Sequence, residues 1–297
     1  MTARSAANAP DGDCPSNMLS ELARLADDDF SQTVLTGAAN ALSDQHNPLR
    51  LNFFSTAMRI LLEHTMDRFA PIEQTMRCAW YTQERDNGEP TRAQRIKYAI
   101  QGGLTDAFVE QELNVEIGPI QRAIVNAVGE LGAQIHAREL TMVAAVDEQD
   151  ALARRIITAM EVFFGTLQAS RNDILAPIQE ELDDAAIDAL LTETIQEVDE
   201  LASHHSVEEV YVDRTVVHEL GHDEIVYRAT GSVAVCLQWG SNSDMRRGDG
   251  AELEQSFPFT CDITVPLDDP WDLRNAEAVY GVDTSSWTDM MDPDDDA

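Results

Sequence analysis

The stretch HELGHDEIVYRATGSVAVCLQW, residues 218–239, decides between two folds for the last third of the chain. Its first five residues match H-E-x-x-H. On a helix, two histidines four apart share one face and can ligate zinc while the glutamate polarises the bound water. The neighbouring residues refuse a helix. From Ile225 every odd position to Trp239 is apolar or small (Ile225, Tyr227, Ala229, Gly231, Val233, Val235, Leu237, Trp239), while Arg228, Thr230, Ser232 and Gln238 face the other way. A period of two is the mark of a half-buried strand. HELGHDE is therefore read as the connection of a β-hairpin, with Gly221 supplying a positive φ. The metzincin extension fails as well, because its glycine would fall at Ile225 and its third histidine at Arg228. The zinc-protease alternative would use His218 and His222 as ligands and Glu219 as base, with Glu252 or Glu254 as a further acid.

Outward from this strand, Phe257, Phe259, Cys261, Ile263 and Val265 alternate against Thr260, Asp262 and Thr264. Val210, Val212, Val216 and Val217 indicate an earlier strand beginning near Glu209. Three strands with short connections make an antiparallel sheet with one wet face. Cys236 and Cys261 fall on opposite-parity faces and should not meet over a metal.

Before Ser203 to Ser206 the period is helical. Leu51, Phe54, Met58, Leu61, Leu62, Thr65 and Phe69 form one stripe, ended by Pro71. Ile120, Ile124, Val128, Leu131 and Ile135 form a second, after Pro119. Leu152, Ile156, Met160, Phe163 and Leu167 form a third, and Ile187, Leu190, Leu191, Ile195, Val198 and Leu201 a fourth. Shorter helices are expected at Met18 to Leu25, Gln32 to Leu42, Arg92 to Ile100 and Asp106 to Glu112. Each stripe needs another helix to cover it, which is the logic of a bundle. The fold class is α+β: a disordered N-terminus at 1–15, a helical bundle at 16–203, an antiparallel β domain at 207–285 and an acidic disordered tail at 286–297.

The 297 residues include 54 acidic and 20 basic ones, for a formal charge of -34. The basic set is 19 Arg and one Lys, Lys97. That excludes a generally basic nucleic-acid coat and suits a halophile's concentrated-salt cytoplasm. In roughly molar salt the Debye length falls to about 3 Å, so a phosphate site would work at contact range. No apolar h-region opens the chain and no run approaches the roughly eighteen apolar residues of a spanning helix, so a cytoplasmic protein is expected. The four cysteines, Cys14, Cys78, Cys236 and Cys261, share no CxxC spacing and are expected as mostly buried free thiols.

Several constellations could carry chemistry. In GSNSDMRRGDGAELEQSFPF, Gly240 to Phe259, the acids Asp244, Asp249, Glu252 and Glu254 could bind Mg2+ or Mn2+, and Arg246 with Arg247 could hold a phosphate. The same segment is also a long glycine-rich hairpin connection. Arg59 and His64 match the R-x4-H spacing of HEPN ribonucleases, although about 140° separates them on one helix and convergence would need a second subunit. His136, His204 and His205 suit structural roles. A PD-(D/E)xK core is not expected, because Lys97 lies in the helical TRAQRIKYAIQ, and no P-loop, GxSxG elbow or dinucleotide fingerprint is present.

Whole segments carry a resemblance. HNPLRLNFFSTAMRILLEH (His46 to His64), RFAPIEQTMRCAWY (Arg68 to Tyr81), AIQGGLTD (Ala99 to Asp106) and ATGSVAVCLQWGSNSDMRRGDGAELEQSFPFTC (Ala229 to Cys261) resemble the predicted pPIWI-associating nuclease family. The resemblance implies a helical region followed by a β-rich domain, a PIWI/Argonaute-like partner and an anti-invader role. It supplies no catalytic set by position. The expected function is an endonuclease, with Asp244, Asp249 and Arg228 at the reaction, Glu252 joining the metal set, and Arg246 and Arg247 on nucleic acid. The alternative is a noncatalytic interaction or dimerisation module of such a system.

Overall fold

The computed structural model describes residues 15–26, 28–135, 145–192 and 194–287. Cys14, His136, the expected disordered segment up to residue 14 and residues 288–297 of the tail lie outside the described residues. The chain forms two compact units, divided between Ser170 and Arg171. Helices are followed by an antiparallel sheet, as the change of period requires.

The first unit contains α1 (Pro15–Leu25), α2 (Asp29–Ser43), α3 (Arg50–Phe69), α4 (Ile72–Arg77), α5 (Arg92–Gln101), α6 (Asp106–Gln111), α7 (Ile117–Ile135) and most of α8 (Val146–Leu175). The expected stripe of α3 is its buried face: Leu51, Phe54, Met58, Leu61, Leu62 and Thr65 are all buried. It packs against α2, α5 and α7. Pro71 ends α3 and also serves as the N-cap of α4, a short helix that the periodicity did not mark. Pro119 sits inside the first turn of α7, where its missing N–H is no loss. Arg50 is an unexpected member of this core, 2% exposed and ion-paired with Asp150.

The second unit begins with the end of α8 and a 3-10 turn at Ala176–Ile178, followed by α9 (Gln179–Thr192), α10 (Gln196–Asp199), β1 (His204–Leu220), β2 (Glu224–Trp239), α11 (Asn242–Arg247), β3 (Ala251–Pro266) and β4 (Glu277–Val282). The fourth stripe is thus two helices, because Ile195 takes up extended backbone as the N-cap of α10. The strands form one meander in the order β1-β2-β3-β4, every pair antiparallel. Helix α9 packs on all four strands. On the inner face Ile225, Tyr227, Ala229, Val233, Val235 and Leu237 of β2 are buried, as are Phe257, Phe259, Cys261, Ile263 and Val265 of β3. Each large apolar side chain so buried contributes about 1.5–3 kcal/mol.

Four expectations need correction. Strand β1 starts at His204, well before Glu209, and bulges between Val207 and Glu209, Val212 and Arg214, and Val217 and Glu219 break its alternation. The sheet has a fourth strand. The connection after Trp239 is shorter than the loop read from Gly240 to Phe259: it holds α11, and Glu252 and Glu254 belong to β3. Of the tail expected as disordered from 286, residues 286 and 287 are ordered, since Trp287 is buried and stacks on Trp239 with ring centroids 5.9 Å apart.

Candidate functional site

The motif HELGH is strand and turn. His218, Glu219 and Leu220 end β1, and the hairpin passes through Gly221, His222 and Asp223 before β2 begins at Glu224. Gly221 does not adopt a positive φ. It is needed instead for close approach, because a Cβ there would lie 2.8 Å from the Glu224 carbonyl oxygen that its own N–H donates to at 2.9 Å. His222 Nδ1 lies 3.1 Å from Asp223 in the turn, whereas His218 is the exposed extra residue of the last β1 bulge. The imidazoles therefore do not share a helical face.

The wet face of the sheet gathers other chemistry. Arg228 of β2 stands opposite Asp262 of β3, with Val216 on one flank and Val279 on the other. Arg228 Nε donates to Asp262 Oδ1 and Nη2 to Oδ2, both at 2.6 Å, a two-point clamp between half-buried groups. These hydrogen bonds outweigh partial burial and hold the Asp262 carboxyl below its ordinary range, with the charges of Arg228 and His218 adding to the effect. The same bonds raise Arg228. The row itself carries a guanidinium and a carboxylate, and the imidazole of His218 projects from the bulge two residues beyond Val216 on β1. Thr230 and Thr260 form the next row, and Arg214 pairs with Thr230 from β1. The clamp uses the Nε side of the guanidinium. Three of its five N–H groups, both on Nη1 and one on Nη2, remain for a ligand.

The other expected residues lie elsewhere. Asp244, Asp249, Arg246 and Arg247 belong to α11 and its end, beyond the far end of β2. From Arg228 to Gln238 alone is ten residues, roughly 33 Å of strand, so Arg228 does not join them. Asp244 closes a capping box: it accepts from Ser241 N at 2.8 Å and Ser241 Oγ at 2.6 Å, and from Arg247. Those bonds hold its carboxyl below the usual value. Arg247 also faces Asp249 at 3.6 Å, while Arg246 is exposed. Glu252 stands opposite Gln238 on exposed strand. Among the described residues no three His, Cys, Asp or Glu side chains are grouped so as to hold a metal ion.

In the helical unit Arg59 and His64 do not converge. Arg59 Nε donates to Glu63 at 2.8 Å. His64 Nε2 lies 3.1 Å from Asp28, the N-cap of α2, and its ring packs on Phe30. His205 Nδ1 lies 3.3 Å from Asp199, and His204 is exposed at the start of β1. Cys78 and Cys261 are buried free thiols, pushed up by burial to about 12 and about 11, and Cys236 is partly exposed among Glu208, Glu252 and Glu254.

Family models for predicted pPIWI-associating nucleases match residues 22–160 and 167–288, the second beginning just before the division between the two compact units. The chain belongs to the predicted pPIWI-associating nuclease family. Comparison with curated proteins and with solved structures returns no match. In this pPIWI-associating nuclease family member no described helix is long and apolar enough to cross a membrane. Asp262 is the site residue that sequence reasoning passed over. Its signal was an acid on the polar parity of one strand and a lone arginine on the polar parity of its neighbour, which become a pair only once register is known.

Proposed function

We propose that this family member cleaves nucleic acid as a component of a PIWI-linked defence system, and that the wet face of its sheet contacts the scissile phosphate. The observation that carries this reading is Arg228, clamped by Asp262 with its outer N–H groups unused, near the bulge on the neighbouring strand from which His218 projects. A fixed guanidinium can receive a phosphate at two points and stabilise the charge that grows there during displacement. An imidazole at the same end of the sheet can take the proton of the attacking hydroxyl or return one to the leaving oxygen. Asp262 orients the arginine and does not touch substrate.

The test is cleavage of labelled single- and double-stranded DNA and of RNA in molar KCl, with Mg2+, with Mn2+ and with chelator. Activity that falls at least about a hundredfold in Arg228→Ala, and in His218→Ala, supports the reading. Cleavage that survives both substitutions removes it.

A second reading, a noncatalytic interaction module, is favoured by apolar exposure on the same face: Tyr211 is 51% exposed and Val279 64% exposed. It anticipates that nucleic acid or a PIWI-type protein is bound without being cut, and that Tyr211→Ala weakens binding more than His218→Ala does.

A further inference from the structure

The middle of the wet face differs in charge from the rest of the chain. Tyr211, Arg214 and Arg228 occupy three successive rows of it, opposite Ser232, Thr230 and Val216. Successive rows on one face lie two residues, or roughly 7 Å, apart. The rows on either side end in acids, Glu209 before Tyr211 and Glu219 with Glu277 beyond Arg228. Between them the paired residues include two arginines and one aspartate, Asp262, a net charge of +1 in a chain of formal charge -34. Among the described residues Arg214 has no ion-pair partner, not even Asp213, the extra residue of the bulge beside it. A polyanion is therefore admitted to these three rows and repelled on both sides of them.

The ring of Tyr211 says which polyanion. It is 51% exposed, and the side chains nearest it across the face, Ser232 and Thr230, are short enough to leave the ring standing above them. Hydrogen bonding to Glu209 raises the phenol, so the ring stays neutral beside a polyanion. An aromatic ring stacks on the face of a nucleobase, whichever base it is. In a duplex those faces are covered by neighbouring pairs, so only an unpaired base can lie on Tyr211. Stacking also keeps its strength in molar salt, where the Debye length of about 3 Å confines the arginines to contact range. An acidic peptide would meet the arginines but has no π-face for the ring.

We propose that the substrate of this face is single-stranded nucleic acid, with one unpaired base on the Tyr211 ring and the neighbouring phosphates on Arg214 and on the outer N–H groups of Arg228. The inference rests on the reading of this face as a phosphate-contacting surface, and it adds the class of substrate and two residues, Tyr211 and Arg214, that bind without taking part in the chemistry. Both are exposed on the edge strand β1, which pairs with β2 alone. A strand of nucleic acid can therefore enter from that side.

The test is fluorescence anisotropy of labelled oligo(dT) and oligo(U) with the full chain, in chelator so that nothing is cut, over a KCl series that ends at molar concentration. A hairpin duplex of the same length is the comparison, and polyglutamate is a competitor. One or both single strands should bind at least about tenfold tighter than the duplex, and Tyr211→Ala should weaken that binding about tenfold, with Tyr211→Phe restoring it. Arg214→Ala should lower the slope of log affinity against log KCl concentration by about 0.7. Phe53→Ala, at a residue 53% exposed on α3, should change nothing. The proposal is overturned if the duplex binds as tightly as the single strands, if Tyr211→Ala binds like the parent, or if polyglutamate displaces the probe as readily as unlabelled oligonucleotide. A parent that cleaves yet binds duplex and single strand alike overturns this inference alone. A parent that holds single strands through Tyr211 and never cleaves overturns the nuclease reading alone.

Discussion

The carbonyl of Tyr211 passes so close to Gly231 that an added Cβ would sit 1.9 Å from its oxygen. The same atom would lie 2.9 Å from Phe259 Cε1, so the position is closed on both neighbouring strands. Only glycine fits where β1 and β3 press on the middle of β2. Gly231→Ala is expected to destabilise the sheet unit by about 3 kcal/mol or more, since backbone on one side cannot move aside. Urea unfolding followed by circular dichroism checks it, and an unchanged midpoint would contradict the packing described.

The Arg228–Asp262 pair gives stability a definite pH dependence. The Asp262 carboxyl is depressed in the folded chain, so its contribution is complete above the unfolded-state value of about 3.9 and is lost as pH falls through the lower folded value. Asp262→Asn should therefore be less stable than the parent at neutral pH, by about 1 kcal/mol or less for a pair this exposed, and the two should converge in strong acid. Denaturation curves at several pH values distinguish this from a pH-independent packing loss.

The same pair predicts a split between charge and geometry in activity. Arg228→Lys keeps the charge but has no planar fork, and cannot hold Asp262 at two points while offering two more to a phosphate. Lysine there should recover little of the cleavage lost in Arg228→Ala, and Asp262→Asn should reduce it about tenfold by releasing the guanidinium. Initial rates on a single labelled substrate decide between these outcomes.

Element type was legible where burial imposes one period, and site geometry was not. Strand β2 could be read residue by residue because one of its faces is buried almost from end to end. Strand β1 was readable only from Glu209 onward, because three bulges each insert an exposed residue and shift the parity of the valines beyond it. Glu277–Val282 escaped notice because an edge strand with exposed Glu277, Ala278 and Val279 has no alternation to show. The acids around Asp244 were conspicuous for their spacing, yet the capping box and Arg247 occupy that carboxylate. Asp262 was inconspicuous, because what distinguishes it, a cross-strand partner, exists only after folding.

Thiol reactivity offers a check on which faces are covered. Burial pushes Cys78 up to about 12 and Cys261 up to about 11, so neither has appreciable thiolate at pH 8 or access to reagent. Cys236 lies on the wet face of β2 opposite Glu254, exposed enough for iodoacetamide though slowed by the surrounding carboxylates. Among these three, mass spectrometry of the native chain should find Cys236 modified first, and Cys78 and Cys261 at least about a hundredfold more slowly until denaturant is added. Prompt labelling of Cys261 would mean that the inner face is open.

Zinc content tests the hairpin at its most conspicuous sequence. In an H-E-x-x-H helix both imidazoles reach one ion, and loss of either removes it. Here His218 projects from a bulge beside the Arg228–Asp262 pair, while His222 lies in the turn against Asp223. The metal content of purified protein should therefore be the same in the parent, His218→Ala and His222→Ala. His218→Ala should still abolish most cleavage, and His222→Ala should reduce it less than about threefold. Equal loss of activity and of stoichiometric zinc in both variants would require a shared ion that a strand and a turn cannot provide.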